Sequence, residues 1–357
     1  MRTPLVVVTS VDPAAMDATL LSLAWDLPRA VSVRHTIDPE SQVLTRTVSD
    51  ATGLLERHEV ELEHACVSCA LREDILPTLQ RLAGDGRWSS IVSGLPVATE
   101  AGQLAQALAT DTRLARRLKL SAVVAAVSAS DAERDLISDD LLRERGVHTN
   151  PYDDRGVGEV ACGQIELADV LVLDAEPHPA AGDLLAALAR PGAPILRGTD
   201  QVDGPGLVAD RHHHSLASAW CSPELDVDVP ALPPGRAWRL ELRSSRPFHP
   251  ERLLDHIERL GSGAHRARGC FWVPTRPGDL LEWSGAGGQL SIGGYSPWGR
   301  RTPMTRLLYT GLGTPPSDLV PAFEEVLLTP AEARRALPWD VVEDGLEPWL
   351  GDICDVA

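Results

Sequence analysis

Through residues 1–200, short apolar runs alternate with segments of helical period. Residues 5–8, 30–34, 90–92, 122–127 and 170–173 read as strands, because they are short runs rich in β-branched and other apolar residues. Between them, residues 14–25, 75–82, 103–108 and 160–167 carry apolar positions at helical spacing. Such alternation predicts a doubly wound α/β domain with a mostly parallel sheet. Residues 201–236 lose the pattern and are rich in Gly, Pro, Asp and His, so they read as a linker. Residues 237–330 then read as a smaller α+β unit, with strands at 238–242, 270–273, 280–283, 289–292 and 306–310 and helices at 250–260 and 318–328. Residues 331–357 read as a tail packed on its surface.

No apolar run approaches the roughly 20 residues of a membrane span, so no membrane role is expected. Met1-Arg2-Thr3-Pro4 enters a strand without a leader pattern, and the chain reads as cytoplasmic. The formal net charge of −18 argues against a broad grip on nucleic acid. Two local basic clusters, His265-Arg266-Ala267-Arg268 and Gly299-Arg300-Arg301, read as loops. Of the six cysteines, only Cys66 and Cys69 are close enough in sequence for a joint task, and Cys162, Cys221 and Cys270 read as small core residues. His35 and His58 read as surface groups, and Asp131 and Asp135 as helix-capping residues after a strand.

The first strand should lead into a phosphate loop of the form G-x-x-x-x-G-K-[ST]. Val11 and Met16 occupy the two glycine positions, Asp17 the lysine position and Ala18 the magnesium-ligand position; Thr19 is a hydroxyl one place too late. Side chains at the glycine positions block the backbone cradle, and a carboxylate replaces the cation that neutralises phosphate. The N-K-x-D base-recognition motif is also missing, since Asp174-Ala175-Glu176-Pro177 follows the late strand. Ordinary binding of GTP and magnesium, and hydrolysis, are therefore not expected. A bare helix N-terminus would remain as a weak anion site.

The stretch 63–76, E-H-A-C-V-S-C-A-L-R-E-D-I-L, places two thiols just before a helix. Soft or borderline metals such as zinc prefer thiolates. By spacing alone, metal binding, a redox dithiol and no special role all stay open. The segment resembles the G-C-x-C-C-T-L-R-x-D-L-L signature of CobW-type GTPases, with Cys66, Cys69, Leu71, Arg72, Asp74 and Leu76 in register and Ser68 in place of the middle cysteine. Ser93-Gly94-Leu95, the stretch Q-I-E-L-A-D-V-L-V-L at 164–173, F-H-P-E-R-L at 248–253 and R-G-C-F-W at 268–272 also resemble elements of that family.

The resemblance implies a P-loop-NTPase-like domain followed by a ferredoxin-like C-terminal domain, and a protein that handles zinc or cobalt for a partner. Its metal ligation carries over to Cys66 and Cys69, with His64 or Glu63 as substitutes for the lost thiolate. The family's His-rich interdomain segment corresponds to His212, His213 and His214, a candidate transient zinc site. The C-V-S-C form with a degenerate loop further resembles an actinobacterial subgroup tied to zinc starvation, which implies an adaptor that brings a hibernation factor to the ribosome. Three functions follow as expectations. The first is a zinc-homeostasis protein that binds zinc and a protein partner without normal GTP hydrolysis. The second is the zinc-responsive ribosome adaptor, and the third a GTP-hydrolysing metallochaperone with an atypical site.

Overall fold

The structure is a computed structural model and describes residues 2–62, 66–225, 227–335, 339 and 341–353. The chain divides into two compact units. The first comprises Met1–Asp135 and Asp140–Cys221, the second Leu136–Asp139 and Ser222–Ala357. Residues 201–221 of the expected linker therefore belong to the first unit, where they form the helices Gly204–Val208 and His214–Cys221. No helix among the described residues is long and apolar enough to cross a membrane.

Eight strands build the first unit's sheet: β1 (Thr3–Thr9), β2 (Ala30–Asp38), β3 (Val43–Asp50), β4 (Gly53–Glu61), β5 (Ser90–Gly94), β6 (Leu118–Val127), β7 (Val170–Leu173) and β8 (Ile195–Arg197). Their order is β4-β3-β2-β5-β1-β6-β7-β8. The ladders from β2 through β5, β1, β6 and β7 to β8 are parallel. β3 and β4 add an antiparallel edge. Strands β1, β5, β6 and β7 lie in the middle and are covered on both faces, which is why their centres read as short apolar runs. Val6, Val8, Met16, Leu20 and Leu23 pack one side of the core. Leu5, Val7, Ile75, Leu79 and Leu104 pack the other. The strand order reverses at β1, so the crevice beyond the carboxyl ends of β1, β5 and β6 is where such a sheet takes a ligand.

The second unit's sheet has five strands: β9 (Ala237–Ser244), β10 (His265–Phe271), β11 (Asp279–Ala286), β12 (Gln289–Pro297) and β13 (Thr305–Leu312), in the order β12-β11-β10-β13-β9. Every neighbouring pair is antiparallel. The helix Pro250–Gly261 carries the chain from β9 to β10, with β13 inserted between them. That split β-α-β is the heart of a ferredoxin-like unit. Here a β11–β12 hairpin extends it, and the helix Leu319–Val326 follows the last strand. One face of the sheet packs Trp238, Ala267, Phe271, Leu307 and Tyr309 against Leu253, Leu260 and Phe323 of the helices. The tail is tied to this unit. Asp344 accepts from Thr275 and Arg276, and Arg276 donates to the carbonyls of Leu350, Gly351 and Asp352.

Two local expectations are corrected. His265–Phe271 is a strand, so the first basic cluster lies on a sheet and not in a loop; Arg300 and Arg301 do sit in the connection between β12 and β13. His35 is fully buried, whereas His58 is exposed.

Candidate functional site

The phosphate loop is absent as a loop. β1 ends at Thr9, and a helix already begins at Pro13. Only Ser10, Val11 and Asp12 lie between them, so the residues that would circle a phosphate are wound into the helix's first turns. The local sequence dictates this. Pro13 is pre-set for the first helical position, and Asp12 is a strong N-cap whose carboxylate accepts from the Ala15 N–H at 2.6 Å. Ser10 Oγ accepts from the Asp12 N–H and donates to the Ala126 carbonyl.

The helix N-terminus, expected to be bare, is thus occupied by the chain's own anion. Met16 is wholly buried in the core, and Val11 packs beside Ala98 and Val160. Thr19 is buried, and its hydroxyl donates back to the Ala15 carbonyl, so it faces no ligand. Asp17 points outward and pairs with Arg34 at 3.3 Å. Arg34 also donates to the Leu95 carbonyl at 2.7 Å, which ties the end of β5 to β2.

More carboxylates surround this crevice. Asp135 is buried and paired with Arg145 at 3.0 Å, not capping a helix. Burial outweighs that cation and, with Asp131 and Asp12 nearby, pushes the Asp135 carboxyl up to about 6. The folded state therefore holds this proton more tightly than the unfolded chain does. Stability from Asp135 is present below about 4 and is lost as pH rises toward about 6. Asp135→Asn is accordingly expected to gain stability relative to the parent between acidic and neutral pH, read from urea midpoints at the two extremes. At the base-recognition end, Asp174 accepts from the Ala129 N–H and Glu176 pairs with Arg197. Both are committed to the protein.

The cysteine pair opens a different helix. Cys66 is the N-cap of Val67–Ala70, and its sulfur accepts from the Cys69 N–H at 3.2 Å. Cys69 is buried, Cys66 is half-buried, and both are free thiols. The hydrogen bond with Cys66, then burial, pushes the Cys69 thiol above its usual range. Ser68 turns away and meets Gln103 at 2.9 Å. His64 and Glu63, the expected substitute ligands, lie outside the described residues. Among the described residues no three His, Cys, Asp or Glu side chains converge as a metal set.

A buried polar cluster follows the cysteine pair along the chain. Leu71–Ile75 forms a π-helical turn, which directs Asp74 inward. Asp74 meets His35 Nε2 of β2 at 3.0 Å and pairs with Arg46 of β3, which also donates to Thr78. Burial alone would raise the Asp74 carboxyl, but the His35 hydrogen bond and the Arg46 charge outweigh it and lower it. Burial chiefly holds His35 below its usual range.

The three adjacent histidines are not spent alike. His212 is buried, with Nδ1 2.8 Å from Asp169. Asp169 also pairs with Arg190 and accepts from the Val123 N–H. His213 is exposed, and His214 begins a helix and contacts Gln106 and Ser218. The His212 and His214 rings stand 6.0 Å apart, but the first is already committed to the core.

A doubly wound sheet with a ligand crevice at its switch point, followed by a split β-α-β sheet, defines the chain as a P-loop-GTPase-like α/β protein with an added C-terminal domain. Residues 37–177 match the CobW/HypB/UreG nucleotide-binding domain, and residues 238–327 match the cobalamin synthesis protein CobW C-terminal domain. The chain belongs to the CobW family. The first match begins beyond the remodelled loop. The zinc chaperone Rv0106 of Mycobacterium tuberculosis is 27% identical over 393 aligned residues, covering 99% of this chain and 95% of that protein. Zinc-regulated GTPase metalloprotein activator 1 of Dictyostelium discoideum is 24% identical over 274 residues, covering 71% of this chain and 57% of that protein. Among solved structures, the Zn(II)-bound YjiA GTPase of E. coli aligns with a TM-score of 0.36 at 16% identity, over 91% of this chain and 99% of that one.

Proposed function

We propose that this protein binds zinc through the Cys66 and Cys69 thiolates and passes or reports it to a protein partner, without using GTP. One observation carries the reading: the helix that should cradle phosphate starts at Pro13 and is capped by Asp12, while the two cysteines stay free. Two thiolates supply half of zinc's usual tetrahedral shell. The open positions suit a cargo ion that must be received and released, with His64 or a partner's side chain completing the set. Zinc-named relatives in the same family support the choice of metal.

The loss of GTP use rests on chemistry, not on one missing motif. Asp12 takes the Ala15 N–H, one of the helix-start donors a phosphate would need, and adds a carboxylate where a phosphate would sit. A fluorescent GTP analogue with magnesium should accordingly show no saturable signal at micromolar protein. Saturable binding displaced by unlabelled GTP would contradict the proposal and restore the atypical GTPase reading.

A further inference from the structure

The proposed metal ligands are two free thiols carried on one helical turn. Cys66 Sγ accepts from the Cys69 N–H at 3.2 Å, and the Cys66 carbonyl accepts from the Ala70 N–H at 3.0 Å. The two thiols also hydrogen-bond to each other. A disulfide bridges Cα atoms about 4.4–6.8 Å apart, a span that an N-cap and the third residue of its helix satisfy. The turn that presents two sulfurs to a metal is therefore also short enough to join them.

The two sulfurs differ in access. Cys66 is half-buried, whereas Cys69 is buried. A small oxidant reaches the first more readily, and the second is placed to react with its neighbour. The amide that Cys66 Sγ accepts from holds a thiolate more strongly than a thiol, which favours the nucleophilic form at position 66. Ser68, between the two, turns to Gln103 and offers no third sulfur. One disulfide therefore takes every thiolate from the turn at once.

We infer that peroxide converts Cys66 and Cys69 to a reversible disulfide, and that closing this bond ejects the zinc. The zinc half rests on the function proposed above; the disulfide half does not. The Cys66 thiolate attacks one oxygen of hydrogen peroxide, the O–O bond breaks, and a sulfenic acid forms as hydroxide leaves. The Cys69 thiolate then attacks that sulfur, the S–O bond breaks, and a second hydroxide leaves. In sum, two thiols and one peroxide give one disulfide and two waters. The sulfurs lose two electrons and the peroxide oxygens gain them. With zinc bound, the same sum takes up two protons and frees the ion, because a disulfide sulfur carries no charge for the metal. A thiol reductant reverses the step by exchange and is itself oxidised to a disulfide.

The test treats the full chain, apo and zinc-loaded, with hydrogen peroxide, then alkylates the remaining thiols and digests with trypsin. Arg57 and Arg72 bound one fragment, residues 58–72, that holds both cysteines. This fragment should escape alkylation and lose the mass of two hydrogens, and dithiothreitol should restore it. In Cys69→Ser, dimedone should trap a sulfenic acid at Cys66. In Cys66→Ser, Cys69 should stay unmodified at the same peroxide dose. An indicator dye should report zinc leaving the loaded chain in step with the disulfide. A 58–72 fragment that stays fully alkylated, or that gains oxygen without forming the disulfide, would overturn the inference and leave zinc binding untouched. Zinc still held after the disulfide has closed would overturn the coupling. A chain that takes up no zinc at all fails the proposed function instead, and the fragment mass still decides the disulfide.

Discussion

Replacing Cys66 and Cys69 together by serine is expected to weaken zinc binding by about a hundredfold or more, since even outer-shell partners of a zinc ligand are worth 10–100-fold. A chromophoric chelator in competition with the protein reads this directly. The single variants should each fall short of the double, because each leaves one sulfur. The fold should survive all three. Cys69 sits at the edge of the core and Cys66 is half-buried, and a serine at position 66 preserves an N-cap oxygen for the residue 69 N–H. Unchanged affinity in the double variant would remove the thiols from the account and leave His64 or the histidine stretch as the binding group.

The second large effect is on stability. Asp169→Ala is expected to destabilise the N-terminal unit by about 3–5 kcal/mol, the cost of stranding the largely buried Arg190 charge. Arg190 and His212 both lose their carboxylate, and the Val123 N–H loses its acceptor inside the sheet. Asp169→Asn should recover part of the loss, because its amide oxygen still accepts one of these bonds. Denaturant midpoints followed in the N-terminal unit measure both. A change below about 1 kcal/mol, the size of a typical single hydrogen bond, would contradict the structural role and return His212 to the candidate zinc ligands.

How much of this was legible depends on where each signal lives. Strands β1, β6 and β7 announce themselves because burial on both faces keeps their centres apolar, as at 5–8, 122–126 and 170–173. The β3–β4 hairpin does not. β4 is exposed along nearly its whole length, so G-L-L-E-R-H-E-V-E carries no core period to read. His35 was misread although its signal was present: Val31, Val33 and His35 alternate on β2, which places the imidazole on the buried face. The same holds for the phosphate site. The substitutions at Val11, Met16, Asp17 and Ala18 marked it as damaged. The pair Asp12-Pro13, an N-cap followed by a first-turn proline, would have shown that the loop is replaced by helix.

Other features could not be read along the chain. His212 looks like part of a polar histidine run until Asp169 is placed against it, 43 residues away in sequence. Asp74 matched a family motif letter, but its partners His35 and Arg46 come from two strands joined to it only by folding. Arg239, Arg306 and Arg268 come from β9, β13 and β10, and only the register brings them to one face of the sheet. Family resemblance gave the two-domain frame, and local chemistry marked the cysteines. What each titratable group does was decided by contacts that the linear pattern does not encode.

The central claim is that zinc is held at Cys66 and Cys69 independently of nucleotide. Calorimetric titration of zinc into the apo protein, with and without saturating GTP and magnesium, tests it most directly. Binding that couples two sites must shift the affinity of each by the same factor. The account predicts a saturable zinc isotherm that is the same in both buffers. A missing zinc isotherm, or one that GTP shifts, would contradict it.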